Sequence, residues 1–367
     1  MPSRKKISII GTVGLPANYG GFETLAENLV IHHQLAKSPH DITVYCSGKS
    51  YADRPDYFLS ARLRYIPLKA NGIQSVLYDI ASLLHAIWNK ADAIIILGVS
   101  GAVVLPLARL LSNTRIITNI DGIEWRREKW RGLAKRFLKI SERIAVRYSD
   151  EVIADNEAIA DYVRKTYDSN PHVIAYGGDH AVHVEAAALP TGVPVDGYAL
   201  AICRIEPENN AAMILQAFSS LPSRTLVFIG NWNNSTYGQQ LRQRYAGEAH
   251  LLLLDPIYDL GILKSLRTHA SLYIHGHSAG GTNPSLVEAM HFGIPVLAYD
   301  CNFNRKTTEE QAIYFKDAKE LALAISAPNC DAFIETGLKM KAIAQQRYTW
   351  PVVASQYFAL MESIDNK

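Results

Sequence analysis

Short apolar runs alternate with helix-like amphipathic stretches along the whole chain. In the first half the runs are Ile7 to Ile10, Ile42 to Tyr45, Ala93 to Leu97, Ile116 to Ile120 and Glu151 to Ala154. They are too short and too uniformly apolar for half-exposed antiparallel strands, so they predict the buried strands of a parallel sheet with helices on both faces. The pattern breaks at His183 to Pro194, a segment with small residues, two prolines and a glycine, which reads as an interdomain linker. It then restarts at Tyr198 to Cys203, Thr225 to Ile229, Leu251 to Leu254, Leu272 to Ile274 and Pro295 to Ala298. The expectation is an α/β protein of two Rossmann-like, doubly wound parallel-sheet domains, residues 1–182 and 195–348. Ligands in such sheets bind beyond the carboxyl ends of the strands, which puts the expected active site in an interdomain cleft.

Composition narrows this only slightly. At 367 residues the chain exceeds one typical core, and 48% hydrophobic with 20% charged residues describes an ordinary globular protein. No apolar run reaches the roughly 18 residues that span a bilayer, and the opening MPSRKKISIIGTVG passes directly into a strand, so neither a signal nor an anchor is expected there. Cys46, Cys203, Cys301 and Cys330 lack paired spacing, which argues against a disulfide framework or a zinc site and fits a reducing cytoplasm. A net charge of +2 gives no reason to expect nucleic acid as a partner.

The densest candidate chemistry lies in HGHSAGGTNPSLVEAMHFGIPVLA, His275 to Ala298. A buried strand leads into a glycine-rich loop, and Pro284 opens a helix carrying Leu286, Val287, Ala289 and Met290. Gly280 and Gly281 let backbone approach a ligand, and N–H groups around Thr282, Asn283 and Ser285 at a helix N-terminus suit phosphate. Glu288, one turn on, can accept hydroxyl hydrogen bonds. A capped strand–loop–helix crossover with no ligand is the competing reading. In the same half Arg204 follows the Tyr198 to Cys203 strand, where it can pair with phosphate oxygens or, alternatively, with Glu206 or Glu208.

In the first half, Gly11 to Glu23 reads GTVGLPANYGGFE, a long and flexible loop whose glycines lack dinucleotide-fingerprint spacing. It can close over a diphosphate, or simply need glycine for its turns. Asp121 and Glu124, in NIDGIEWRR at another strand end, can bind or deprotonate a sugar hydroxyl, or form a salt-bridge cluster with Arg126 and Arg127. From Arg126 to Arg147 nine Arg and Lys stand against Glu128 and Glu142, with Leu133, Phe137, Ile140 and Ile144 at helical spacing. Such a helix can rest on an anionic membrane surface, hold an acceptor's phosphates, or turn its stripe to the sheet beneath a solvated face. The chain has no Asp-x-Asp pair, so leaving-group charge would fall to arginine, helix dipole and backbone N–H groups, with no metal and no cofactor.

Together these residues resemble the retaining family-4 glycosyltransferases of GT-B fold over nearly the whole length. Gly281 to Pro295 looks like that family's glycine-rich loop, ribose-binding glutamate (Glu288) and closing Gly-x-Pro; Arg204 resembles its phosphate-binding arginine. Arg347 to Trp350, followed by Tyr357, is similar to the segment whose helix, here 349–367, crosses back to the first domain. GTVGLPANYGGFETLAENL, DGIEW and GGTNPS further resemble a bacterial rhamnosyltransferase-like subgroup that builds cell-surface polysaccharide. The resemblance implies a nucleotide-sugar donor, typically dTDP-rhamnose, and a lipid-diphosphate-linked acceptor, for a cytoplasmic enzyme peripheral to the inner face of the plasma membrane. It implies Asp121, Glu124 and Arg204 as catalytic residues. Donor contacts would come from Gly14, Arg204, Asn209, His277, Gly281, Thr282, Asn283, Ser285 and Glu288. Acceptor contacts would come from Tyr19, Glu23, Asp121, Glu124, Arg126 and Arg127. Two departures stand out: Gly280 replaces the family's sugar-binding glutamate, and Asn209 replaces a phosphate-binding lysine. The alternatives are a nucleotide-sugar epimerase of the same fold and a non-catalytic sugar-nucleotide-binding subunit.

Overall fold

The computed structural model describes residues 4–17, 20–72, 74–126, 130–326 and 330–362. The chain divides into two compact units, Met1–Tyr176 with Trp350–Lys367, and Gly177–Thr349.

The first unit holds strands β1 (Lys6–Ile10), β2 (Asp41–Ser47), β3 (Tyr57–Phe58), β4 (Ala61–Ile66), β5 (Ala93–Leu97), β6 (Arg115–Asn119), β7 (Glu151–Ala154) and β8 (His172–Val173). Its helices in the same stretch are α1 (Gly21–Leu35), α2 (Gln74–Trp88), α3 (Leu105–Leu111), α4 (Gly132–Tyr148) and α5 (Glu157–Tyr167). The eight-stranded sheet runs β3-β4-β2-β1-β5-β6-β7-β8. Among the described residues only the β3–β4 pairing of this sheet is antiparallel. The centre is driven by runs such as Ala-Ile-Ile-Ile-Leu in β5, where every residue is buried.

The second unit holds β9 (Tyr198–Ile202), β10 (Leu226–Ile229), β11 (Leu251–Leu254), β12 (Ala270–His275), β13 (Val296–Tyr299) and β14 (Ile313–Phe315). They form a six-stranded parallel sheet in the order β11-β10-β9-β12-β13-β14. Helices α6 (His180–His183), α7 (Ala211–Ser219), α8 (Thr236–Arg244), α9 (Leu260–Thr268), α10 (Pro284–His291), α11 (Asn302–Thr307), α12 (Ala318–Ser326) and α13 (Cys330–Arg347) accompany it. The strand order reverses between β1 and β5 in one sheet and between β9 and β12 in the other. Each reversal opens a crevice at the strands' carboxyl ends, where doubly wound sheets hold ligands.

The unit boundary falls earlier than residue 182, and the reason is local. Lys264 Nζ donates to the carbonyls of Val182 (3.0 Å) and Val184 (2.8 Å), and the N–H of Ala187 donates to Gly261 O at 3.1 Å. The first half of the expected linker is thereby fastened to α9. The last helix, α14 (Trp350–Glu362), completes the core of the first unit: Trp350, Val353, Ala354, Tyr357 and Met361 are all buried there with Ile9, Leu25 and Leu29. Their spacing makes one helical stripe.

Candidate functional site

In the second unit the loops after β9 and β12 are stitched together. Asn210 Nδ2 donates to Gly276 O at 2.8 Å, and both the N–H and the Oγ of Ser278 donate to Glu208 O at 2.8 Å. Ser285 Oγ reaches Ile202 O at 3.3 Å. This brings Arg204 and the glycine-rich loop into one crevice. Arg204 is exposed and forms no ion pair among the described residues, so the pairing with Glu206 or Glu208 is not made. Its backbone is fixed instead by Asn209, which is buried and donates from Nδ2 to Arg204 O at 2.7 Å. The Asn209 amide thus positions the arginine loop.

At the N-terminus of α10, Asn283 is the cap: its Oδ1 accepts from the Ser285 N–H at 3.1 Å and from Ser285 Oγ at 2.8 Å. The expectation of an open Ser285 N–H is therefore corrected, because the asparagine side chain already occupies that donor. Thr282 is buried behind the loop. At Gly280, φ is +122° and a Cβ would meet nothing within 4 Å. No crowding explains the missing side chain; the backbone conformation favours glycine there.

Glu288 sits one turn into α10, its side chain 17% exposed, and pairs through Oε2 with Arg267 Nη2 of α9. His180 Nε2 lies 3.5 Å from its other oxygen. Burial alone would raise the carboxyl pKa, but Arg267, with His180 and His291 nearby, overrides it and holds Glu288 ionised below the ordinary glutamate range. Each oxygen retains lone-pair capacity for hydroxyl donors. Gly178 lets the incoming chain pass against α10, where a Cβ would lie 2.7 Å from the Glu288 nitrogen. Arg267, His180 and Gly178 are neighbours of Glu288 that the sequence reading did not find.

His277 stacks on His275 at 4.3 Å with an 11° interplanar angle. His275 is 1% exposed and its Nε2 has no hydrogen-bond partner; burial pushes its pKa down to about 3, so the ring is neutral at physiological pH. Asn304 Nδ2 donates to His277 O at 2.9 Å and fixes the edge of the crevice.

In the first unit the loop after β1 is fastened, which corrects the expectation of flexibility for residues 11–17. Glu23, 7% exposed, accepts from the Val13 N–H at 2.7 Å and from Thr12 Oγ1 at 3.2 Å. Tyr78 Oη donates to Thr12 O at 2.9 Å, Tyr51 Oη to Pro16 O at 2.9 Å, and Ser47 N–H to Val13 O at 2.8 Å. The Glu23 carboxylate is thus turned inward. A Cβ on Gly14 would lie 2.7 Å from Cys46 Cβ, so packing explains this glycine. Tyr19 and Arg127 lie outside the described residues.

Asp121 follows β6 with φ +60°, its N–H donating to Asn119 Oδ1 at 2.9 Å. Asn119 Nδ2 in turn donates to Tyr357 Oη of α14 at 2.8 Å. Glu124 accepts from Trp130 Nε1 at 2.9 Å, and Arg126 lies over the rings of Trp125 (5.3 Å) and Tyr162 (5.1 Å). On α4 the buried residues are Leu138, Ser141, Glu142, Ala145 and Val146, whereas Leu133 is 82% and Ile140 56% exposed. The apolar stripe is only partly covered: Leu133 and Ile140 face solvent, while Phe137 and Ile144 are half-buried. It lies about a third of a turn round the helix from the core face.

Among the described residues no group of three or more His, Cys, Asp or Glu could hold a metal ion, and no helix is long and apolar enough to cross a membrane. Residues 195–328 match the family described as Glycosyl transferases group 1, and residues 4–179 match a Domain of unknown function (DUF1972). The second unit therefore carries a glycosyl transferases group 1 domain, and the two parallel-sheet units have the GT-B fold of glycosyltransferases. The phosphatidyl-myo-inositol mannosyltransferase of Mycobacterium tuberculosis is 24% identical over 375 residues, covering 89% of each chain. Among solved structures, sucrose-phosphate synthase from Thermosynechococcus elongatus superposes with a TM-score of 0.81 at 17% identity, covering 98% of this chain and 99% of that one. Anabaena HepE in complex with UDP and glucose gives 0.73 at 15% identity, covering 98% and 100%.

Proposed function

We propose that the protein moves a hexosyl group from a nucleotide sugar, held by the second unit, to a lipid-diphosphate-linked saccharide held by the first, in cell-surface polysaccharide synthesis. The observation that carries this reading is the β9/β12 crevice, where an exposed Arg204 and an ionised Glu288 flank the glycine-rich loop. Arg204 and the Gly281 to Asn283 backbone would hold the diphosphate, Glu288 the ribose hydroxyls, and His277 and Ser285 the rim. Asp121, Glu124 and Arg126 would bind the acceptor. The solved relative with UDP and glucose supports the donor class, and the relative named as a phosphatidyl-myo-inositol mannosyltransferase supports a lipid acceptor. The donor we propose is dTDP-rhamnose, on the resemblance of GTVGLPANYGGFETLAENL, DGIEW and GGTNPS to the rhamnosyltransferase-like subgroup; Gly280, in place of the family's acidic residue, argues against the family's commonest sugars.

Transfer would proceed with retention: the anomeric carbon–diphosphate bond breaks, the acceptor oxygen bonds on the same face, and its proton passes to the departing diphosphate. No metal is required in this scheme, so chelator should leave the rate unchanged, and full loss restored by magnesium would overturn that part. The exposed stripe and basic residues of α4 support a peripheral position on the cytoplasmic face of the membrane. Thermal stabilisation by a panel of nucleotide sugars, followed by transfer to a lipid-diphosphate saccharide, tests the whole. Conversion of the sugar without acceptor would replace transfer by epimerisation, and donor binding with neither outcome would make the protein a binding subunit.

A further inference from the structure

Three cations converge on one indole in the first unit. Arg126 Cζ, Lys135 Nζ and Lys139 Nζ lie 5.3, 5.7 and 4.9 Å from the Trp125 ring centroid, and all three side chains are exposed. None has an ion-pair partner among the described residues. The indole is held from below: its Nε1 donates at 3.3 Å to Glu142 Oε1, which is 1% exposed and also accepts from Tyr162 and Tyr167 Oη at 2.6 Å each. That oxygen is occupied by three uncharged donors, so it fixes the ring and leaves the cations facing solvent. Like charges gathered within a Debye length repel, and a multivalent anion would relieve them.

Resting on the proposed acceptor class, we propose that Arg126, Lys135 and Lys139 on Trp125 form the recognition site for the diphosphate of a lipid-linked acceptor. The surrounding segments carry the three chemistries such an amphiphile needs. Leu133 and Ile140 expose an apolar strip on the same helix for the lipid chain, and α3, packed on α4, adds exposed Leu110 and Leu111. Asp121 and Glu124, on the segment that carries Trp125, are the candidate partners of the saccharide. Tail, diphosphate and sugar would each find groups of matching chemistry in this part of the first unit: apolar, cationic and carboxylate.

The test uses the full chain without donor. It measures sedimentation with phosphatidylcholine vesicles doped with geranylgeranyl diphosphate, against vesicles matched in charge with phosphatidylglycerol. Preference for the diphosphate vesicles is expected, with inorganic pyrophosphate competing. Lys135→Gln with Lys139→Gln should weaken binding at least about tenfold, and Trp125→Leu should weaken it as well. Both lysines are exposed, so the double variant should fold, which an unchanged thermal unfolding midpoint would verify. Equal binding to both vesicle types would make the face a general anionic-lipid surface and overturn the site. Undiminished binding by the lysine variant would overturn it too. Neither outcome depends on transfer, so failure of the transferase reading is separately visible.

Discussion

Each unit carries a glutamate on the helix that follows a strand at its topological switch, and the two carboxylates are satisfied in different ways. Glu23 of α1 is closed over its own loop by neutral donors, Val13 N–H and Thr12 Oγ1. Glu288 of α10 is balanced by a full charge from behind, the 2%-exposed Arg267 of α9. The first arrangement makes a rigid loop. The second keeps a carboxylate ionised while leaving lone pairs for a ligand's hydroxyls.

The largest test of this contrast is Arg267→Met. It leaves Glu288 buried without its cation, and about 3–5 kcal/mol of stability should be lost in urea unfolding; a loss below about 1 kcal/mol would collapse the distinction. The pH dependence has a definite sign. Because Glu288 titrates below its ordinary range in the folded state, its contribution is present above the unfolded glutamate pKa and fades as pH falls through the lowered one. Glu288→Gln should therefore flatten the acid limb of the stability curve. Glu23→Ala comes next, with about 2–3 kcal/mol lost as two charge-assisted bonds go, and nucleotide affinity unchanged by calorimetry. Arg204→Ala should do the reverse: thermal stability is kept, and nucleotide-sugar affinity falls about 10- to 100-fold. A third acid sharpens the pattern. Asp79, buried and met by the Ser100 hydroxyl, has its pKa pushed up to about 7 by burial. The folded state then holds a proton that the unfolded chain releases, so stability declines as pH rises from about 4 towards 7. Asp79→Asn should remove that slope and raise stability at pH 8.

The uniformly apolar strands were readable because burial on both faces leaves no polar position to obscure them. By contrast β4, Ala-Arg-Leu-Arg-Tyr-Ile, alternates buried and exposed residues beside the sheet edge, and β3, β8 and β14 have two or three residues each, too few for a pattern. The places of Arg204 and the glycine-rich loop were legible because both directly follow strands, and that of Glu288 because Pro284 marks the start of the helix that carries it. Arg267 was not: in Leu-Gly-Ile-Leu-Lys-Ser-Leu-Arg-Thr it looks like a surface cation complementing a helix C-terminus, and only packing of α9 beside α10 reveals its partner. The tandem glycines before Asp179 and His180 were the available signal for the chain passing Glu288. On α4 periodicity found the apolar stripe but not the face that packs, since small Ser141 and Ala145 share the core side with Leu138 and Val146.

Helix α14 makes the first unit discontinuous: strands from residue 6 onward share one core with Trp350 and Tyr357. During synthesis those strands leave the ribosome long before their final packing partner exists, so at every intermediate length the first sheet has an uncovered apolar face. The second unit, contiguous from Gly177 to Thr349, can finish folding while that face still waits. A chain stopped at residue 349 would then present a complete β9/β12 crevice attached to an unfinished partner, whereas joining residues 1–176 directly to 350–367 should yield the first unit alone.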